Sequence, residues 1–181
     1  MSLVENQIVT AYVGLGSDLG DRAGNLMLAV RGLIEASLVV TKLSSIYETE
    51  PVAMDDAPPF LNMVAEVRVE NISPTQMMAR MLRIEYLLGR KDKSMNLPRT
   101  IDLDLLFYGD TKLETPFLTL PHPRVPVRNF ILVPLNEIAP NFVHPFLKKC
   151  VSDLVAQSPD CSRVSRWNPF PNNGLPRTTR C

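Results

Sequence analysis

In the run Ile101-Asp102-Leu103-Asp104-Leu105, apolar and acidic residues alternate with the period of a β-strand. Successive side chains of a strand point to opposite faces, so Asp102 and Asp104 share one face, roughly 6.5 Å apart along it. Ile101, Leu103 and Leu105 then point the other way, into a core. A strand of this kind belongs to an antiparallel sheet with one open face. Two carboxylates side by side on a rigid strand repel each other unless a cation lies between them. Mg²⁺ suits the place, because it prefers hard oxygen ligands and keeps substrate phosphates in its shell. Taken alone, the pattern fits any half-solvated strand. Its neighbours supply the chemistry.

Upstream, Ile8 to Leu15 reads as a first strand, and Gly14-Leu-Gly-Ser-Asp-Leu-Gly-Asp21 as a polar turn. A helix follows from about Asp21 through Leu26, Val30, Leu33 and Ile34. Residues 39–47 and 60–69 read as the next two strands, with a proline-bounded loop over 50–59 between them. Ser73-Pro74-Thr75-Gln76 starts a second helix, with a serine cap, proline at the first helical position and glutamine at the third. Met77, Met81, Ile84 and Leu88 continue it at helical spacing, as core, until Gly89. After the acidic strand come short helices near 128–138 and 151–157. The order β-α-β-β-α-β with helical additions predicts an α+β, ferredoxin-like antiparallel sheet with helices on one face.

Composition narrows the classes of function. The 181 residues suit one domain, expected over 1–158, followed by a polar, loosely attached tail over 159–181. Nineteen basic and nineteen acidic residues cancel, which argues against nucleic-acid binding through a general basic field. No apolar run approaches the roughly 20 residues of a membrane span, and no leader pattern is seen. Cys150, Cys161 and Cys181 have no zinc-ligand spacing and suit reduced thiols in the cytoplasm.

Positive charge is concentrated locally instead. Arg90, Lys91, Lys93 and Arg99 surround a single Asp92 in the loop just before the acidic strand. Such a loop is ordinarily a solvated surface. Beside paired carboxylates it predicts a cationic lid over a transferring phosphoryl group. A second cluster, Leu120-Pro-His122-Pro-Arg124-Val-Pro-Val-Arg128-Asn-Phe130, adds anion-binding groups. Phe60 and Phe130, with Asn62 nearby, suit either core packing or a flat heterocycle held between rings and read by an amide.

Together these segments resemble a known family. Thr49 with Pro51, Phe60-Leu-Asn62, Arg83-Ile-Glu85 through Gly89-Arg90, Pro98-Arg-Thr-Ile-Asp-Leu-Asp104, and Pro121-His-Pro-Arg with Arg128-Asn-Phe130 occur in the order found in 6-hydroxymethyl-7,8-dihydropterin pyrophosphokinases. The likeness covers about residues 8–157. It implies transfer of pyrophosphate from ATP to the pterin hydroxymethyl group in folate biosynthesis, with release of AMP. It further implies that Asp102 and Asp104 bind two Mg²⁺ ions, and that Arg90 and Arg99 stabilise the transferring group. Phe60 and Phe130 would sandwich the pterin, with Asn62, Thr49 and Val52 reading its edge. Glu85, Leu105, Thr119, His122 and Arg128, with Arg90 and Arg99, would contact ATP. A cytoplasmic monomer is expected. The chain departs from the family at Asn96-Leu97-Pro98-Arg99, where Trp-Gly-Pro-Arg is usual, which predicts a lid that closes differently.

Two other readings of the residues stand beside this one. Gly16-Ser17 with Asp-Leu-Asp are elements of a nucleotidyltransferase pattern, although there the two lie much closer together. A ferredoxin-like binding module without catalysis would have no need of twin carboxylates beside a cationic loop.

Overall fold

The computed structural model describes residues 8–49, 59–89 and 100–170. Strands β1 (Ile8–Ser17) and β4 (Phe60–Glu70) pair antiparallel from Ile8 opposite Glu70 to Ser17 opposite Leu61. On the other side of β1 lies β5 (Asp102–Tyr108), also antiparallel. β2 (Val39–Leu43) and β3 (Tyr47–Thr49) pair with successive stretches of the outer edge of β4. With β2 and β3 counted as one interrupted strand, the order across the sheet is fourth, first, third, second. This is the ferredoxin-like α+β arrangement that the element order predicts.

The interruption has a local cause. The sequence predicts one strand over 39–47, but the Ser44 hydroxyl accepts the Val64 amide at 2.9 Å while Ser44 N donates back to Val64 O. A side chain thus replaces a backbone carbonyl in the ladder, and pairing resumes only at Tyr47. Both long helices begin as their sequences dictate. Asp21 caps α1 (Arg22–Glu35) by accepting from Gly24 N at 3.0 Å. α2 (Pro74–Leu87) has both halves of a capping box, Gln76 N to Ser73 Oγ at 3.2 Å and Ser73 N to Gln76 Oε1 at 2.8 Å. Gly89 ends the helical segment at φ +96°, where a side chain would be strained.

Leu26 and Leu33 of α1 and Met77 and Met81 of α2 pack on Val13, Leu15, Met63, Val67, Leu103 and Leu105. The opposite face is covered too, contrary to the one-sided layer expected. There α3 (Asn129–Ile138) and α4 (Val151–Ala156) bring Ile131, Leu132, Leu135 and Leu154 onto Tyr12, Val64, Leu106 and Phe107. A register shift at Tyr12/Val13 in the β1–β5 ladder lets Leu106 and Phe107 both join this second core, breaking the alternation read along β5. A small hairpin, β6 (Leu113–Glu114) and β7 (Thr119–Leu120), links β5 to α3.

The polar stretch after Pro159, expected to hang loose, adds an edge strand. β8 (Val164–Arg166) pairs antiparallel with β3, and Trp167 packs against the first core with its amide donating to Ile46 O at 2.9 Å. An edge strand is held by backbone bonds and keeps its side chains in water, so hydropathy carries no trace of it.

Candidate active site

The second helical layer stops short of one end of the sheet. In the register of the central strands, Gly16 lies opposite both Asn62 and Asp102, and Gly14 opposite both Val64 and Asp104. These residues share one face by strand alternation. The central strand therefore carries no side chain between the amide on one side and the carboxylates on the other. The result is a small cleft, about 40 Å³ in volume, lined by Gly14, Gly16, Asn62, Val64, Asp102, Asp104, Phe130 and Ile131. A Cβ on Gly16 would stand 3.1 Å from Asn62 Oδ1. A side chain at Gly16 would thus press on Asn62, whereas one at Gly14 would meet Leu106 at an ordinary 3.4 Å. The sequence reading ended the first strand at Leu15 and gave Gly16 to a turn, but β1 runs on through Ser17; glycines at i and i+2 of a strand signal a close approach of something else to the backbone.

Asp102 and Asp104 are both partly exposed, while Ile101, Leu103 and Leu105 are buried on the helical side, as the alternation predicts. β5 is an edge strand, and the outward amide of Leu103 is met by the Glu85 carboxylate of α2 at 2.8 Å. Glu85 is 1 % exposed. Two residues that the resemblance lists among ATP contacts, Glu85 and Leu105, thus have their side chains behind the sheet, where alternation and the α2 packing put them. Among the described residues, no third acidic, histidine or cysteine side chain completes a metal-holding group with the two aspartates. A cation between the two would keep coordination positions for phosphate and water, the shell that Mg²⁺ prefers.

On the pterin side of the resemblance, Asn62 and Thr49 are both buried and joined, Asn62 Nδ2 donating to Thr49 Oγ1 at 3.2 Å. Phe130 lines the cleft from the first turn of α3, and the Arg128 guanidinium lies 5.3 Å from its ring centroid. Phe60, at the start of β4, is half-exposed on the same sheet face as Asn62 but outside the cleft lining. His122 follows β7, its amide donating to Leu106 O at 2.9 Å. Its Nδ1 accepts from Arg124 N at 3.2 Å, so the ring proton of the neutral form sits on Nε2 as a donor. Burial pushes the His122 pKa down; the Asp104 charge opposes this, and Arg124 and Arg128 add to it. Thr119 is partly exposed on β7, next to this segment.

Arg90, Arg99 and Val52 lie outside the described residues. The residues flanking the basic loop are nonetheless informative. Gly89 and Thr100 are neighbours, a Cβ on Gly89 falling 3.7 Å from Thr100 Oγ1. Ser17 Oγ donates to Thr100 O at 2.7 Å, tying the loop's exit to the end of β1 beside the cleft.

Comparison with known proteins places this geometry. Residues 12–140 match the family model for 7,8-dihydro-6-hydroxymethylpterin-pyrophosphokinase. The 2-amino-4-hydroxy-6-hydroxymethyldihydropteridine pyrophosphokinase of Aquifex aeolicus is 35 % identical over 147 residues, covering 81 % of this chain and 91 % of that protein. Its Bacillus subtilis counterpart is 44 % identical over 129 residues, covering 71 % and 77 %. Among solved structures, wild-type Plasmodium falciparum HPPK-DHPS with pteroate superposes at a TM-score of 0.69 and 17 % identity, covering 86 % of this chain and 43 % of that one. That structural likeness concerns the fold alone.

Proposed function

The chain belongs to the 7,8-dihydro-6-hydroxymethylpterin-pyrophosphokinase family, and from that premise we propose which of its residues carry the reaction. The activity is transfer of pyrophosphate from ATP to the hydroxymethyl group of the dihydropterin, a step of folate biosynthesis. The pterin hydroxyl oxygen attacks the β-phosphorus, the bond from that phosphorus to the α,β-bridging oxygen breaks, and AMP departs. No protein nucleophile is required. Orientation and charge neutralisation supply the rate.

Asp102 and Asp104 would hold Mg²⁺, two ions in our assignment, which when bound would supply positive charge against the ATP phosphates. The observation that carries this assignment is the aspartate pair facing the cleft across two glycines. Arg90 and Arg99 neutralise the transferring group from the loop whose flanks meet at Gly89 and Thr100. Phe130 and Phe60 stack the pterin, and Asn62, Thr49 and Val52 read its edge. Thr119, His122 and Arg128 hold ATP, with His122 Nε2 donating to a phosphate oxygen. Glu85 and Leu105 serve from behind the sheet, Glu85 by fixing the Leu103 amide between the two aspartates.

We assign the working form as a monomer acting on small molecules in the cytoplasm, supported by the balanced charge and by free thiols at Cys150 and Cys161. The test is incubation with ATP, Mg²⁺ and the reduced pterin. AMP should appear in step with the pterin diphosphate. Release of free pyrophosphate instead would mean nucleotidyl transfer and overturn the assignment.

A further inference from the structure

The family match ends at residue 140, yet the segment beyond it reaches the cleft's supports at two points. α3 begins without a cap of its own, since the residue at its N-cap, Arg128, makes no side-chain cap bond. Asp160 fills the gap from a distance. Its Oδ2 accepts the Asn129 amide at 2.6 Å, and its backbone carbonyl accepts Asn129 Nδ2 at 2.6 Å. The carboxylate is itself held in place, Oδ1 accepting Ser162 N at 2.8 Å. A negative group at this helix start also suits the helix dipole. Asn129 sits between Arg128 and Phe130, so fixing it sets the direction of both. A few residues on, Val164 pairs with Thr49 and Arg166 with Tyr47. One short segment therefore grips both the start of α3 and the strand bearing Thr49.

We propose that residues 159–167 form a strap that positions the substrate cleft, with Asp160 as the positioning residue for Arg128 and Phe130. This rests on the reading that those two side chains bind substrate. Asp160 touches neither ATP nor pterin; it acts through Asn129. Its loss lets the first turn of α3 fray and spreads Arg128 and Phe130 over several orientations. The effect falls on binding, with the chemical step intact once both substrates are seated.

The experiment is fluorescence titration of the dihydropterin, with a non-hydrolysable ATP analogue present, on the full chain well below its melting temperature. Asp160→Ala should weaken pterin binding about tenfold, with kcat at saturation within about twofold of the parent. Asp160→Asn, which keeps an oxygen able to accept the Asn129 amide, should recover part of that loss. A purely structural role would lower the melting temperature and leave the affinity unchanged, and that result overturns the proposal. Should Asp160→Ala fail to fold, Asp160→Asn and Asn129→Ala carry the same reading, and parental affinity in both rejects it. Phe130→Ala is the reference. If it weakens binding while the Asp160 variants do not, the strap fails and the site assignment stands; if Phe130→Ala is also silent, both fall.

Discussion

Asp104 is the residue whose removal separates chemistry from folding most cleanly. It is partly exposed on an edge strand held by Leu103 and Leu105 on the other face. Asp104→Ala should therefore lower turnover on the order of 10³-fold or more while leaving the melting temperature nearly unchanged; calorimetry beside an AMP-release assay checks both halves. Gly16 gives the complementary case. Gly16→Ala adds one methyl group 3.1 Å from Asn62 Oδ1, so the amide that we propose reads the pterin must give by a few tenths of an ångström. Pterin affinity should fall several-fold while ATP affinity holds, as separate titrations would show. The aspartates were legible in the sequence because alternation exposes them whatever the fold. Gly16 was not, since glycine beside serine and aspartate normally marks a turn, and only the neighbouring strands show that the chain runs on through Ser17.

Among elements, α3 is the one on which most depends. Its far end is moored by Glu137, which accepts from Ser45 N at 2.7 Å, Ser45 Oγ at 2.8 Å, Tyr47 OH at 3.1 Å and Arg166 at 2.9 Å. Glu137→Ala should cost about 0.5–1.5 kcal/mol in urea unfolding, because these bonds are exposed and water can replace part of them; a loss within error would show that the mooring is idle. Burial pushes the Glu137 carboxyl up, but the bonds from Ser45 and Tyr47 and the Arg166 charge outweigh it and hold the pKa below the ordinary range. Asp160 behaves alike: burial raises it, while the amides of Asn129 and Ser162 and the Arg128 charge win. A depressed folded pKa gives stability that is complete above the unfolded value, about 4 for these groups, and is lost as pH falls through the folded one. Both moorings should thus hold at neutral pH and release only in acid below that value. Asp160→Asn should flatten the acid limb of a stability–pH curve. Helix α2 was readable from Ser73-Pro74-Thr75-Gln76 alone, because a capping box is local. β8 and the break at Ser44 were not, because each depends on a partner strand distant in sequence.

At the scale of the whole molecule, α1 and α2 pack on one face of the sheet, and among the described residues α3 and α4 cover part of the other. The order of strands and helices announced the first layer. The helices of the second, near 128–138 and 151–157, were read from the sequence as well; what escaped was that they cover the opposite face, where the register shift at Tyr12/Val13 turns both Leu106 and Phe107 toward them. Ligands that settle in the cleft bind the folded chain and not the unfolded one, so each should raise the melting temperature in proportion to the logarithm of its concentration. ATP analogue and pterin together should raise it more than either alone, and a thermal-shift matrix would show whether they do. On our site assignment, the end of the sheet left open among the described residues is an unfinished interior that the reactants would complete. Starved of them, the cell would hold a looser protein, and with precursors abundant a sturdier one, so supply of the metabolite and lifetime of the catalyst would rise and fall together.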